Sequence, residues 1–270
     1  MTHAVLGYEH LHLDLSGPAT GPPVVLLHGW GSSARLMQPI ADALADRYRV
    51  YNLDLPGHGL SPPPPEPWGI PEHAALVRQL LEDIAAPTTL IGHSNGGRIA
   101  LYLASEPEPS ALIERLILIS PSGIPPRRTW KYHLKKNTAR VLKAPFQILP
   151  KPLRAMGLDW LKHSIVWRAL GSSDYRALDG VMRDTFVKTV NGYVDDRVHR
   201  IAVPTLIFWG SRDEAVSHDQ MRVLENAIDD AGLVVLDQAG HYGYLDDPDT
   251  FIAATRYFLE HAQEPSPQTE

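Results

Sequence analysis

Six short runs along the chain are almost wholly apolar and rich in β-branched residues: "VVLLH" (24–28), "YRVYNLD" (48–54), "TTLIG" (88–92), "RLILIS" (115–120), "PTLIFWG" (204–210) and "LVVLD" (233–237). They are nearly continuous and do not alternate with polar residues, the pattern of strands covered on both faces. Between several of them the apolar spacing switches to that of a helix. Val77, Leu80, Leu81 and Ile84 follow i, i+3, i+4, i+7; Met221, Leu224 and Ile228 mark a second stripe; Phe251, Thr255, Phe258 and Leu259 mark a third. Strands alternating with helices predict an α/β protein with a doubly wound, mostly parallel sheet and helices on both faces. The rhythm breaks between 121 and about 200, where the chain is rich in Trp, Tyr, Arg and Pro and offers no strand. That stretch predicts a helical insertion between two strands of the sheet.

Composition narrows the picture. The 270 residues are 44% hydrophobic and 21% charged, ordinary for a globular core. There is no cysteine, which excludes disulfides, a thiol nucleophile and thiolate metal sites. The longest apolar stretches run to about six residues, too short to span a bilayer. The first residues, "MTHAVLGYEH", lack the basic-then-apolar pattern of a signal peptide, so a cytoplasmic protein is expected. The net charge of −6 is unevenly spread: from Pro121 to Leu170 eleven Lys and Arg face a single acid, Asp159, leaving −16 for the remainder. Nucleic-acid binders are basic as whole domains, so no nucleic-acid partner is expected. Prolines cluster in "SPPPPEPWGIP" (61–71) and around 121–152, marking irregular connections, and the tail "EPSPQTE" (264–270) reads as disordered.

One strand ends in chemistry. "GHSNG" (92–96) sets Ser94 between two glycines, after a strand and before the helical pattern "NGGRIALYLAS". A sharp strand-to-helix turn strains the serine's backbone and brings neighbouring chain close, and the glycines make the room. The bland reading is a tight turn with Ser94 capping a helix. A serine hydroxyl needs a base to become a nucleophile. Of thirteen histidines, His241 stands just after a strand and behind a glycine in "VVLDQAGHYGYLDDP". A carboxylate should fix its tautomer, and "LIFWGSRDEAVS" provides Asp213, with Glu214 as competitor. Each candidate follows a strand, in the chain order Ser94, Asp213, His241.

At this point the chain resembles the α/β-hydrolase superfamily over almost its whole length, through "HGWGSS" (28–33), "DLPGHGLS" (54–61), "GHSNGG" (92–97), "GSRD" (210–213) and "GHYGYLDDP" (240–248). The resemblance implies a Ser94 nucleophile, a His241 base and an Asp213 orienter. It implies an oxyanion hole built from the backbone N–H groups of Asn95 and Trp30. No cofactor or metal is implied. The family often has Glu five residues after the histidine, where this chain has Asp246. His28 and His93, flanking the site, read as loop-holding residues, as do Asp54 and His58. His10 and His12 read as alternating on one strand face exposed to solvent, with a metal pair as the competing idea.

In this superfamily an insertion at 121–200 forms a helical cap, dividing the chain into core residues 1–120, cap 121–200, core 201–263 and tail 264–270. Within "TWKYHLKKNTARVLKA" (129–144), Trp130, Leu134 and Val141 form one stripe. Lys131, Lys135, Lys136, Arg140 and Lys143 lie on the rest of the surface. That basic face would attract anionic substrates or make weak contact with an anionic membrane surface, or simply be solvated. Trp160, Trp167, Tyr175, Phe186 and Tyr193 are candidates to line an apolar pocket, and Ser173 to cap a helix. The expected activity is hydrolysis of a small-molecule carboxylic ester, lactone or thioester through an acyl-serine. Cleavage of a C–C bond next to a ketone, or of an amide, is the alternative within the fold, and a non-hydrolytic ligand-binding scaffold is the alternative outside it. The oligomeric state is not encoded in any pattern here.

Overall fold

The computed structural model describes residues 7–107, 112–126, 178 and 180–261. The chain divides into two compact units, Met1–Pro126 with Asp184–Glu270, and Arg127–Arg183. Of the second unit only Leu178 and residues 180–183 are described. Trp130, Leu134, Val141, Trp160, Trp167, Ser173 and Tyr175, together with the basic residues of 129–144, therefore lie outside the described residues.

The first unit is built on seven strands: β1 (Leu13–Ser16), β2 (Pro23–Leu27), β3 (Arg49–Leu53), β4 (Thr88–His93), β5 (Ile113–Ile119), β6 (Thr205–Gly210) and β7 (Ala231–Leu236). They pair in the order β1-β3-β2-β4-β5-β6-β7. Every pairing is parallel except β1 with β3. The helices are α1 (Ala34–Leu44), α2 (Ile70–Ile84), α3 (Asn95–Ala104), α4 (Gly180–Val190), α5 (His218–Ala227), α6 (Gly243–Asp246) and α7 (Pro248–His261). The six apolar runs thus form β2 to β7, and the three helical stripes fall on α2, α5 and α7.

The continuity of those runs has the expected cause. Successive strand residues point to opposite faces, and here both faces are covered. Val25, Leu27, Leu90, Leu116, Leu118 and Ile207 pack with Val77, Leu80 and Leu81 of α2, Ile99 and Leu103 of α3, and Met221 and Leu224 of α5. Their neighbours Val24, Leu26, Ile91, Ile117, Ile119 and Phe208 pack on the other side, with Met37, Ile40 and Leu44 of α1 and Phe251 and Leu259 of α7. Among the described residues no helix is long and apolar enough to cross a membrane.

One expectation is corrected. His10 does not alternate with His12 on a strand: Tyr8–His10 close a 3-10 turn, with the Leu11 N–H donating to the Tyr8 carbonyl at 2.9 Å. His12 precedes β1, and its Nδ1 sits 3.1 Å from Asp54 Oδ2. No cluster of three or more His, Asp or Glu able to hold a metal ion occurs among the described residues.

The strand order positions the site. From β2 the chain winds outward to β3, and from β4 it winds the other way through β5, β6 and β7. Strands β2 and β4 are neighbours, in register at Leu27 and Gly92. At such a reversal the loops leaving two parallel strands diverge, and a crevice opens beyond their carboxyl ends. Trp30 follows β2 and Ser94 follows β4, so both leave the sheet at this reversal.

Candidate active site

Ser94 has φ +50° and ψ −108°, a left-handed conformation that L side chains avoid. The surroundings impose it. Its N–H donates to the Ile119 carbonyl at 3.0 Å, and its own carbonyl accepts from the N–H groups of Ser122 at 3.0 Å and Arg98 at 3.1 Å. The flanking glycines are required by close approach: a Cβ at Gly92 would lie 2.6 Å from the Gly96 carbonyl oxygen, and one at Gly96 would collide with the Leu27 carbonyl oxygen. The helix that opens here therefore rests against both β4 and the end of β2, and Ser94 is held on a strained turn rather than acting as a side-chain cap.

Asp213 and His241 come from the loops after β6 and β7, which are laced together. Ser211 N–H donates to Leu236 O at 2.9 Å and Arg212 N–H to Ala239 O at 2.8 Å. The Gly240 N–H donates to Asp246 Oδ2 at 2.8 Å, so the shorter carboxylate at this position still closes the histidine loop. The ring Nδ1 of His241 lies 2.9 Å from Asp213 Oδ2. The other carboxylate oxygen accepts from the Ala215 and Val216 amides at 2.8 and 3.0 Å. The Asp213 carboxylate is fully buried, whereas Glu214 is exposed. Burial by itself would raise the Asp213 pKa, but the His241 ring, the Val216 amide and the nearby Ser120 hydroxyl outweigh it and hold the carboxyl below its ordinary value. An ionised Asp213 can only accept, so His241 Nδ1 carries the proton and its Nε2 is left as the basic atom.

His93 brings the two parts together. It ends β4 immediately before Ser94, and its Nε2 lies 3.0 Å from the His241 carbonyl oxygen. Among the described residues no hydrogen bond joins Ser94 Oγ to His241. On the other side, a Cβ at Gly29 would lie 3.2 Å from Ser94 Cβ, so the loop after β2 passes directly against the serine. His28 fixes that loop: its Nε2 accepts from the Leu55 N–H at 2.9 Å and its Nδ1 donates to the Gly29 carbonyl at 2.7 Å. Burial holds His28 neutral, with a pKa of about 4. The neighbouring "DLPGHG" loop is shaped as expected: Asp54 accepts from the Ala34 and Leu60 amides at 2.6 and 2.9 Å, and His58 Nδ1 meets the Pro56 carbonyl at 3.0 Å.

No backbone hydrogen bond within the described residues uses the N–H of Trp30 or of Asn95. The Trp30 indole packs edge-on against His58, with ring centres 4.8 Å apart, and beside Phe186, 5.1 Å away. Phe186 thus joins an aromatic wall beside the loop, and Tyr193 is 46% exposed. Ser120 escapes sequence reasoning. It is buried, adopts φ +43°, and sits beside Asp213 between the two residues that clamp the Ser94 backbone. The only signal is a serine directly after a strand, which "LILIS" shares with many turns.

Residues 22–248 match the family model described as the alpha/beta hydrolase fold. The chain is 27% identical over 266 residues to an uncharacterised protein of Mycobacterium tuberculosis, covering 89% of this chain and 76% of that one. It is also 27% identical over 254 residues to a protein of Chromobacterium violaceum named pimeloyl-[acyl-carrier protein] methyl ester esterase, covering 89% and 95%. Among solved structures it resembles the enol-lactonase from Burkholderia xenovorans LB400, with a TM-score of 0.67 and 24% identity over 93% of this chain and 96% of that one.

Proposed function

The chain belongs to the alpha/beta hydrolase fold family, and from that premise we propose that it hydrolyses small-molecule carboxylic esters through an acyl-serine intermediate. Ser94 Oγ attacks the carbonyl carbon while His241 Nε2 takes its proton. The ester C–O bond then breaks, and His241 returns the proton to the departing alcohol. Water, activated by the same nitrogen, releases the acid and restores Ser94. Asp213 holds the Nδ1–H tautomer and stabilises the imidazolium that forms in each half-reaction. Charge develops on the carbonyl oxygen only as the serine attacks, and the Trp30 and Asn95 N–H groups are the donors assigned to it. Each such donor is worth about 10²–10³ in rate.

The observation that carries this reading is the 2.9 Å pairing of His241 Nδ1 with a buried Asp213 carboxylate, beside a serine on a strained, glycine-flanked turn. The named esterase relative supports an ester carbonyl as the target. The test is incubation with a fluorophosphonate alongside a p-nitrophenyl ester assay. Stoichiometric labelling and turnover, both lost in Ser94→Ala, are expected; a chain that is neither labelled nor active overturns the proposal.

A further inference from the structure

The His93 side chain makes a contact that the reaction above does not use. Its ring is 1% exposed and is packed against three residues that follow β7, His241 and Tyr242 of the loop and Tyr244 of α6, with ring centres 4.9, 4.7 and 5.6 Å away. Because Nε2 meets a carbonyl oxygen, that of His241, it must carry the hydrogen. The tautomer is therefore set, and Nδ1 holds a lone pair. That atom has no hydrogen-bond partner and faces Gly29, where an added Cβ would lie 2.9 Å from it. The ring is wedged between the loop carrying Trp30 and the loop carrying His241, one residue from the serine.

We propose that His93 is the positioning residue for His241: its Nε2–H holds the His241 backbone carbonyl and so ties the base to the turn that carries the nucleophile. This rests on the reading of His241 as general base. The two anchors of His241 are independent. Asp213 holds the ring by its Nδ1–H, and His93 holds the backbone from which the ring projects. A ring fixed only by Asp213 could swing about that hydrogen bond. Fixing the carbonyl as well leaves Nε2 one arc on which to meet Ser94. Catalysis is sensitive at this scale, since a misplacement of about 1 Å costs about 10²-fold.

Neutrality is part of the device. Burial, aided by the neighbouring His241, pushes the His93 pKa down to about 3. The other titratable groups around it are Asp213, His28, Tyr242 and Tyr244. With His93 uncharged, no second cation opposes the imidazolium that His241 becomes, 4.9 Å away.

The experiment compares His93→Phe, which keeps a ring but no donor, with His93→Gln, whose amide N–H reaches the position of Nε2. In His93→Phe, kcat on a p-nitrophenyl ester should fall about ten- to a hundredfold with KM within about twofold. His93→Gln should recover most of that loss. The low-field proton resonance of the His241–Asp213 hydrogen bond should broaden or vanish in the Phe variant and persist in the Gln variant. Should the Phe chain not fold, His93→Asn replaces it, its amide being too short to reach the carbonyl. Full kcat in His93→Phe or His93→Asn, or a Gln variant no better than they are, overturns the proposal. A wild-type chain that is neither labelled by a fluorophosphonate nor active on the ester, but shows the expected resonance pattern across the variants, would instead overturn the hydrolase reading, while the tie between His93 and the His241 carbonyl would still hold.

Discussion

Lowering the pH from about 7 to about 5.5 perturbs three histidines that the fold buries as neutral rings, His28, His73 and His93. Each is at least 99% buried, and each directs one ring nitrogen to a backbone carbonyl, at 2.7, 2.7 and 3.0 Å. Burial moves their pKa values from the ordinary 6.5 down to about 4, about 4 and about 3; the carbonyl contacts only partly oppose it. The sign follows from proton counting. Between about pH 4 and 6.5 the unfolded chain binds these protons and the folded chain does not. Stability is therefore fully present above 6.5 and is lost as pH falls towards the folded values. One unit below 6.5, each site costs about 1.4 kcal/mol, and the three together about 4 kcal/mol. Burial lowers the His58 pKa too, which adds in the same direction. Against a typical stability of about 5–15 kcal/mol, that is a large fraction. Urea unfolding followed by circular dichroism at the two pH values measures it. His73→Gln, on α2, should shrink the difference by about 1.4 kcal/mol. Equal unfolding free energies at the two pH values would refute the reasoning, because neutral burial of these rings could not then be what the fold selects.

Three further outcomes are expected. Ser94→Gly relieves a φ of +50° that Ser94→Ala retains, so in thermal melts the glycine variant should be the more stable by about 1 kcal/mol, with neither variant turning over ester. Equal melting temperatures would show that the turn is not strained. Asp213→Asn should lower kcat by about 10⁴-fold, as a carboxylate that sets a histidine tautomer does elsewhere, while Glu214→Gln stays within about twofold; the reverse ranking in ester kinetics would move the acid to Glu214. Gly96→Ala drives a methyl into the Leu27 carbonyl oxygen. Its urea midpoint should fall by the equivalent of about 3 kcal/mol, and an unchanged midpoint would mean that β2 and α3 can separate freely.

Much of this fold is visible in the chain because its signals are local. A strand covered on both faces must be apolar at every position, so β2 to β7 announce themselves. Strand β1 escapes for the same reason: at the sheet edge, Asp14 and Leu15 are exposed and no continuous run is needed. The nucleophile's turn is local as well, since the space that Gly92 and Gly96 leave is taken by chain within a few residues and by the adjoining strand. What the sequence by itself determined is therefore the alternation of buried elements and the identity of the strained serine. The tertiary structure alone decided which groups meet it. Asp213 and Glu214 are adjacent in the chain, and only the turn that aims the Ala215 and Val216 amides at one carboxylate buries the former and leaves the latter in water. His93 looks like any loop-holding histidine until β4 and the loop after β7, 148 residues apart, close around it. Such contacts depend on the strand order, and no periodicity along a chain records which strand lies beside which.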